Sequence, residues 1–526
     1  MRVLLVHPAF PITYWGFQHA LPIIDKRATL PPLGLITVAA HLPPAAEVRL
    51  VDLAVAPLDD ATLAWAEVVL IGGMRIQAPS MHAIIARARA LGRRTVVGGP
   101  AATTAPDEFA DADVVFVGEV EGRERELWVA ITGTDPLRVP APTDRPALAT
   151  ARRPRFELLD LAAYASMSVQ YSRGCPFRCE FCDVIEIFGR VPRVKSPDQV
   201  IDELEALHRL GWRGTVFLVD DNFIGNRREV AMLLPVLAAW QAAHDRPMAL
   251  YTEASVDLAG EPALLAGMAE AGFGAVFLGI ETPSETALRG IGKTQNLRRS
   301  PAEAVAILAR AGLEVMSGFI VGFDSDDARA LEAQRRFLAT APIPLAMVGL
   351  LTALPGTALW KRLASEGRLR AASGGDQYVR PNFAPVMDER ALLEGYADLL
   401  AEIYAPEAYL ARCLAHLALA PIPDTRVRAG GPRIAARALW QLGVAGPRRA
   451  LFWRLLVAAV RRSPAFTSWA LEKAIQGEHL IRYTEEQVVP RIRAAAAALA
   501  IEPAPPVAPT PAPRVARHAP RSVASH

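Results

Sequence analysis

The sequence predicts an α/β protein made of two successive parallel sheets, closed by an all-helical extension. Three observations carry this reading. Short apolar runs alternate with helix-like segments over residues 1–135, a second alternation runs over 161–385, and beyond 385 the apolar spacing is wholly helical.

The first alternation reads RVLLV, PLGLITVAAHL, EVRLVDL, EVVLIG, MHAIIARARAL, TVVGG and DVVFVG. Strands separated by helices at this spacing pair in parallel and need helices on both faces, which is a doubly wound, Rossmann-like domain. Such sheets bind ligands beyond the carboxyl ends of their strands. The residues there are His7, Asp52, Gly72-Gly73-Met74, Gly98-Gly99-Pro100 and Gly118-Glu119, and their glycines serve a close backbone approach or a simple turn. The proline-dense, aperiodic stretch containing RVPAPTDRPALATARRP reads as a linker over 136–160.

Six strand candidates follow over 161–385: SMSVQYS, TVFLVD, MALYTEA, AVFLGIE, EVMSGFIVG and AMVGLLT. Six strand-helix units make a partial (β/α)6 barrel, open on one side, rather than the eight-fold closed form. The helix PDQVIDELEALHRL opens on a capping box, Ser196 with Gln199 three residues on, and has Pro197 at its first position. Residues 386–500 carry LLEGYADLLAEIY, YLARCLAHLAL, RIAARALWQLGV, RALFWRLLVAAVRR and TSWALEKAI, a helical extension. The Trp, Phe and Arg of RALFWRLLVAAVRR fit a helix packed into that extension and also an amphipathic helix on a membrane surface. Residues 501–526, Pro/Ala-rich with scattered arginines, read as a disordered tail.

Composition excludes several classes. A chain of 526 residues with 52% hydrophobic and 21% charged residues is too apolar to be disordered throughout. Its 57 basic and 55 acidic residues leave a net charge of +2, so no overall field draws it to nucleic acid. No uninterrupted apolar run is long enough for a spanning helix. The opening MRVLLVHPAFP is too short for a secretory core, so a cytoplasmic protein is expected, with any membrane contact peripheral.

Three of the four cysteines fall within CPFRCEFC, as Cys175, Cys179 and Cys182, directly after the first barrel strand. Three thiolates on one loop can wrap a single centre, and soft sulfur favours zinc or an iron-sulfur cluster. Structural zinc wants four closed ligands, and Cys413 lies far along the chain in a helical segment.

This motif, at the end of the first strand of a six-unit barrel, resembles the radical S-adenosylmethionine (SAM) superfamily. The resemblance implies that Cys175, Cys179 and Cys182 hold a [4Fe-4S] cluster whose open iron chelates the amino and carboxylate groups of SAM. Phe181 is the aromatic of the motif. By the same resemblance Asp220, Asp221 and Asn222 of VDDNF meet the SAM amino group, and Glu253 and Ser255 of YTEAS its carboxylate or ribose. Glu281 of GIET closes the fourth strand, and Gly318, Ile320 and Gly322 of SGFIVGFD pack against adenine. The family's acid at the end of that last motif is out of register, with Ser325 between Asp324 and Asp326.

The amino-terminal domain resembles the cobalamin-binding domain that precedes this barrel in one branch of the superfamily, which places Asp52, Gly98, Gly99, Gly118 and Glu119 beside the corrin. CEFCDVIEIFGRVPRVKSPDQV, FLVDDNFIGN, LTALPGTALW and IYAPEAYLARC are similar to the branch that includes the hopanoid C-2 methylase. That branch implies cobalamin-dependent methylation of an unactivated carbon, with a small-molecule or lipid substrate and a reductant such as flavodoxin or ferredoxin. No Asp-x-His for a lower cobalt ligand occurs in the chain. A radical SAM enzyme that cyclises, rearranges or oxidises its substrate, with or without cobalamin, is the alternative.

Overall fold

The computed structural model describes residues 1–370, 374–423 and 431–499. Its first sheet contains β1 (Arg2–His7), β2 (Glu47–Asp52), β3 (Val68–Gly72), β4 (Arg94–Gly98), β5 (Val114–Phe116) and β6 (Leu137–Val139). All pairs are parallel, in the order β2-β1-β3-β4-β5-β6. Successive residues of β1 serve opposite faces: Val3 and Leu5 join the core under helices Leu33–Ala40 and Glu124–Thr132, while Leu4 and Val6 join the core under Ala78–Ala90. The sixth strand comes from the stretch expected to be linker, where Val114 pairs with Leu137 and Phe116 with Val139. Three edge residues are too few for a periodic signal.

The second sheet contains β7 (Ser166–Val169), β10 (Thr215–Leu218), β11 (Ala249–Ala254), β12 (Phe273–Glu281), β13 (Glu314–Val321) and β14 (Leu345–Leu350). These strands pair in parallel in chain order, with β7 and β14 at the edges of an open, partial barrel. Between β7 and β10 lies a short antiparallel pair, β8 (Ser172–Arg173) with β9 (Arg193–Val194). The outer face of the sheet is buried under helices such as Pro197–Arg209 and Arg227–Ala243. The capping box forms as expected, Gln199 N donating to Ser196 Oγ at 3.2 Å and Ser196 N to Gln199 Oε1 at 2.9 Å. The inner face carries the half-buried Phe217, Tyr251, Glu253, Phe277 and Met316.

Helices Glu389–Ile403 and Pro406–Leu419 seal the β14 edge, which would otherwise expose unpaired backbone. Tyr396 Oη donates to Val348 O at 2.8 Å, Tyr404 Oη to Ala346 O, and Arg412 Nε to Ile343 O at 3.0 Å. The segment after β1 crosses the molecule to the last helices. There Tyr14 Oη bonds Thr484 Oγ1 at 2.6 Å, Tyr483 Oη donates to Ile12 O at 2.7 Å, and His479 Nε2 donates to Thr13 O at 2.9 Å. No helix among the described residues is long and apolar enough to cross a membrane. The expected disordered tail lies outside the described residues.

Candidate functional site

The β8–β9 pair clamps the base of the cysteine loop. Gly174, which opens the loop, has φ +98°, and a Cβ there would stand 2.9 Å from Gly189 O. Only glycine fits such a position. Cys175 N then donates to Gly189 O at 3.3 Å, Glu180 N to Ile291 O at 3.1 Å and Cys182 N to Cys179 O at 3.2 Å. Burial pushes all three thiols upward. Gln295 Nε2 lies 3.8 Å from Cys179 Sγ, and the Lys293 ammonium, paired with Glu281, draws the Cys179 thiol back down. Three soft donors on one short loop beside a buried cation fit an iron-sulfur cluster. Cys413 is buried in Pro406–Leu419, away from this loop.

The acids after β10 face that loop. Asp220 accepts from Tyr171 N at 2.8 Å and Ser172 Oγ at 2.7 Å, and Asp221 accepts from Gly174 N at 2.9 Å. Burial pushes Asp220 up to about 7 and Asp221 up to about 6. Asn222 Oδ1 receives Ser255 N at 3.1 Å and Ser255 Oγ at 3.3 Å. Glu253, on the inner face of β11, is pushed up to about 8 by burial and by Asp221 and Asp220. A buried carboxyl cluster of this kind fits a cationic ligand group such as an ammonium.

Glu281 adopts a left-handed backbone, φ 64°, at a register shift between β12 and β13. That strain turns its carboxylate onto Lys293, whose Nζ lies 5.9 Å from the Phe181 ring centroid. Phe181 and Ile320 line one pocket with Leu350, Thr352 and Gln377. Gly318 meets Phe277, where a Cβ would come within 3.0 Å of the ring, and Gly322 has φ +98°. The out-of-register acids both have structural work. Asp326 accepts from Gly322 N at 2.9 Å and Phe323 N at 3.1 Å, whereas Asp324 pairs with Arg362 and Arg368. Arg362 also holds Glu180 of the cysteine loop at 2.9 Å.

At the first sheet, Asp52 is buried and accepts from His7 Nδ1 at 3.1 Å, Ala54 N at 2.9 Å and Tyr164 Oη at 3.0 Å. His7 Nε2 faces Gln77 Nε2 at 3.3 Å, so both ring nitrogens are engaged within the chain. Glu119 is buried against Arg173, at 2.7 Å, and Arg193, at 2.9 Å. Arg173, next to the cysteine loop, also lies 2.8 Å from Glu121 and donates to Gln170 at 2.7 Å. Gly99 (φ +83°) packs on Gly73 backbone, and Gly118 N donates to Thr103 Oγ1 at 3.1 Å. These glycine-lined strand ends, with no free histidine nitrogen at His7, fit a corrin held without that residue as ligand.

The structure thus gathers the cysteines with Phe181, Asp220, Asp221, Asn222, Glu253, Ser255 and Glu281, and brings Glu119 to their rim through Arg173. Asp52 stays apart, bonded to Tyr164. Sequence reasoning passed over Lys293, Gln295 and Arg173, which carry no periodic signal, and Trp15, whose ring meets Phe277 edge-on at 5.3 Å.

Known proteins share this succession of domains. The radical SAM superfamily profile matches residues 169–338, the B12 binding domain 23–127, and a domain of unknown function (DUF4070) 357–491. An uncharacterized methyltransferase of Synechocystis sp. is 41% identical over 494 residues, covering 92% of each chain. The hopanoid C-2 methylase of Rhodopseudomonas palustris is 36% identical over 504 residues, 92% of this chain and 94% of the relative. Among solved structures, the cobalamin-dependent SAM radical enzyme OxsB, with aqua-cobalamin and SAM bound, aligns over 95% of this chain and 81% of its own. Its TM-score is 0.56 and its identity 14%. The radical SAM methyltransferase TsrM of Kitasatospora setae, with cobalamin and a [4Fe-4S] cluster, aligns over 70% and 79% at TM-score 0.53 and 20% identity. Both share the fold. By its near full-length relatives and its two cofactor domains, the chain belongs to the cobalamin-dependent radical SAM methyltransferases, enzymes that work with a [4Fe-4S] cluster, SAM and cobalamin.

Proposed function

We propose that the enzyme methylates an unactivated carbon of an apolar lipid of the polycyclic triterpenoid class. The observation that carries the substrate class is the inner face of the barrel, where Phe217 and Tyr251 stack at 4.6 Å and Trp15 caps Phe277. The 36% identity to the hopanoid C-2 methylase supports the same class. When bound, the cluster with SAM supplies hydrogen-atom removal and cobalamin the methyl group, chemistry that no protein base offers at a carbon without acidity.

Cys175, Cys179 and Cys182 would hold the cluster, with Gln295 and Lys293 beside Cys179. Glu253, Asp221 and Asn222 would receive the SAM ammonium, a cation that would favour the ionised form of Glu253. Asp220 keeps the Tyr171–Ser172 backbone in place behind them. Ser255 would meet the carboxylate or ribose, Phe181, Gly318, Ile320 and Gly322 the adenine, and Glu281 fixes Lys293. Gly98, Gly99 and Gly118 would border the corrin, while Asp52 and Glu119 fasten its domain to the barrel. Trp15 would exclude water above the substrate. Electrons would come from a flavodoxin- or ferredoxin-type reductant.

The test is anaerobic reconstitution with iron and sulfide, followed by incubation with cobalamin, SAM carrying a labelled methyl group, a strong reductant and a triterpenoid. One corrin per chain, 5′-deoxyadenosine and a labelled triterpenoid are expected. SAM cleavage without corrin or labelled product would replace this reading with a non-methylating radical reaction.

A further inference from the structure

The helical extension carries an apolar surface of its own, remote in the chain from the cysteine loop. Helix Arg449–Arg462 and the turn Leu439–Val444 bury Leu442, Leu451, Phe452, Leu455 and Ala459 in the extension. They leave large apolar side chains outward: Trp440 is 64% exposed, Val444 53% and Trp453 44%, with Val457 and Val460 close behind. Trp453, Val457 and Val460 recur at helical spacing on one face. Trp453 Nε1 donates to Gly443 O at 2.9 Å, which fastens that face to the turn bearing Trp440 and Val444. The expected packing into the extension is seen on one side of this element, and the other side is apolar and exposed.

The charge carried by the elements that form this face is one-sided, while Glu407 approaches Arg454, and Glu478 and Glu485 hold Arg448, from neighbouring helices. From Gly431 to Leu471 the sequence holds seven arginines and no acidic residue, in a chain whose net charge is only +2. Arg449 and Arg461 are exposed at the two ends of the Trp453–Val460 stripe, and exposed Arg454 lies beside it. Tryptophans ringed by arginines match the headgroup layer of an anionic bilayer, where indoles sit at the interface and guanidinium groups pair with phosphates.

We propose that this face seats the enzyme on an anionic membrane surface. The use of that seat rests on the lipid-substrate reading above, whereas its existence rests on the surface alone. The extension so seated would hold the barrel close to a substrate that does not leave the membrane.

The test is co-sedimentation of the reconstituted full-length enzyme with vesicles of phosphatidylcholine alone or mixed with phosphatidylglycerol, alongside light scattering of the free enzyme. The wild type is expected to sediment with the mixed vesicles and to release in high salt. W440A/W453A and R449E/R461E are each expected to weaken binding about tenfold or more, while keeping the cluster spectrum and lipid-free SAM cleavage. Equal binding by wild type and R449E/R461E, or wild-type binding to neither vesicle, would overturn the proposal. So would a wild-type dimer that W440A/W453A splits, since a second copy would then occupy the face. Methylation of detergent-dispersed triterpenoid without vesicle binding removes the membrane seat and keeps the lipid reading. Vesicle binding without triterpenoid methylation does the reverse.

Discussion

Acidic residues stand at the strand ends of both sheets, and one of them, Glu253 at the barrel mouth, is treated in the opposite way from the acids of the first sheet. At the first sheet every such carboxylate is filled from within the chain: Asp52 by His7, Tyr164 and Ala54 N, Glu119 by Arg173 and Arg193. At the barrel mouth no hydrogen-bond donor among the described residues reaches Glu253, and burial beside Asp221 and Asp220 pushes it up to about 8. The difference teaches that the same strand-end position can serve cohesion or chemistry. Asp52 and Glu119, committed to internal donors, hold two domains together, while Glu253, which has none, is poised for a cation brought by a ligand.

The sharpest way to break that contrast lies at the cysteines. Cys179→Ala should lose iron and SAM cleavage to background, whereas Cys413→Ala and Asp52→Asn should keep their iron, as iron analysis after reconstitution would read. If Asp52→Asn also loses iron, the first sheet does more than hold. Next in size, Arg173→Ala leaves Glu121 buried without its cation, which should cost roughly 3–5 kcal/mol in denaturant unfolding and open the domain junction to proteolysis. A loss below about 1 kcal/mol, the worth of an exposed pair, would deny that this junction is held by buried charge.

Glu253 offers a test by pH. Its folded pKa lies above its unfolded value, so its neutral form is free of penalty in acid and the cost of ionising it grows as pH rises from about 4 toward 8. Apoprotein carrying Glu253→Gln should therefore gain roughly 4–5 kcal/mol at pH 9 and nothing at pH 4. Smallest is His479, which burial pushes down to about 4. Its Nδ1 accepts from His19 N at 3.3 Å while Nε2 donates to Thr13 O, an arrangement that a second ring proton destroys. Stability present above pH 6.5 should fall by about 2–3 kcal/mol as pH drops toward 4, and His479→Gln should flatten that slope in thermal unfolding.

Much of this was legible in the sequence, for physical reasons. Strands buried on both faces read as unbroken apolar runs, and the cysteine spacing is dictated by a centre that one loop must wrap. The β6 strand was hidden by its brevity, and Lys293 and Gln295 by arriving at the cysteines from a loop more than a hundred residues later. A subtler signal was available for Lys293. The chain has only five lysines among its 57 basic residues, and three of them, Lys195, Lys293 and Lys473, are buried against Glu203, Glu281 and Glu314. Where an arginine-rich chain keeps lysine, a compact point charge is needed that a planar fork cannot replace. The committed state of Asp52 and Glu119, by contrast, depends on partners from other domains, which no local pattern contains.

The strap that follows β1 has a consequence for how the molecule is made. Ile12 waits for Tyr483, a residue 471 positions later, before its carbonyl receives that side chain's hydrogen bond. At about 5–20 residues per second of synthesis, roughly half a minute to a minute and a half passes between their appearances. Throughout that interval Tyr14 lacks Tyr483 and Thr484, so one of the first aromatic residues to leave the ribosome is among the last to be sheltered. Nascent chains stalled before residue 467 should accordingly depend most on chaperones, and release of the last two helices is the event that closes the fold from both ends at once.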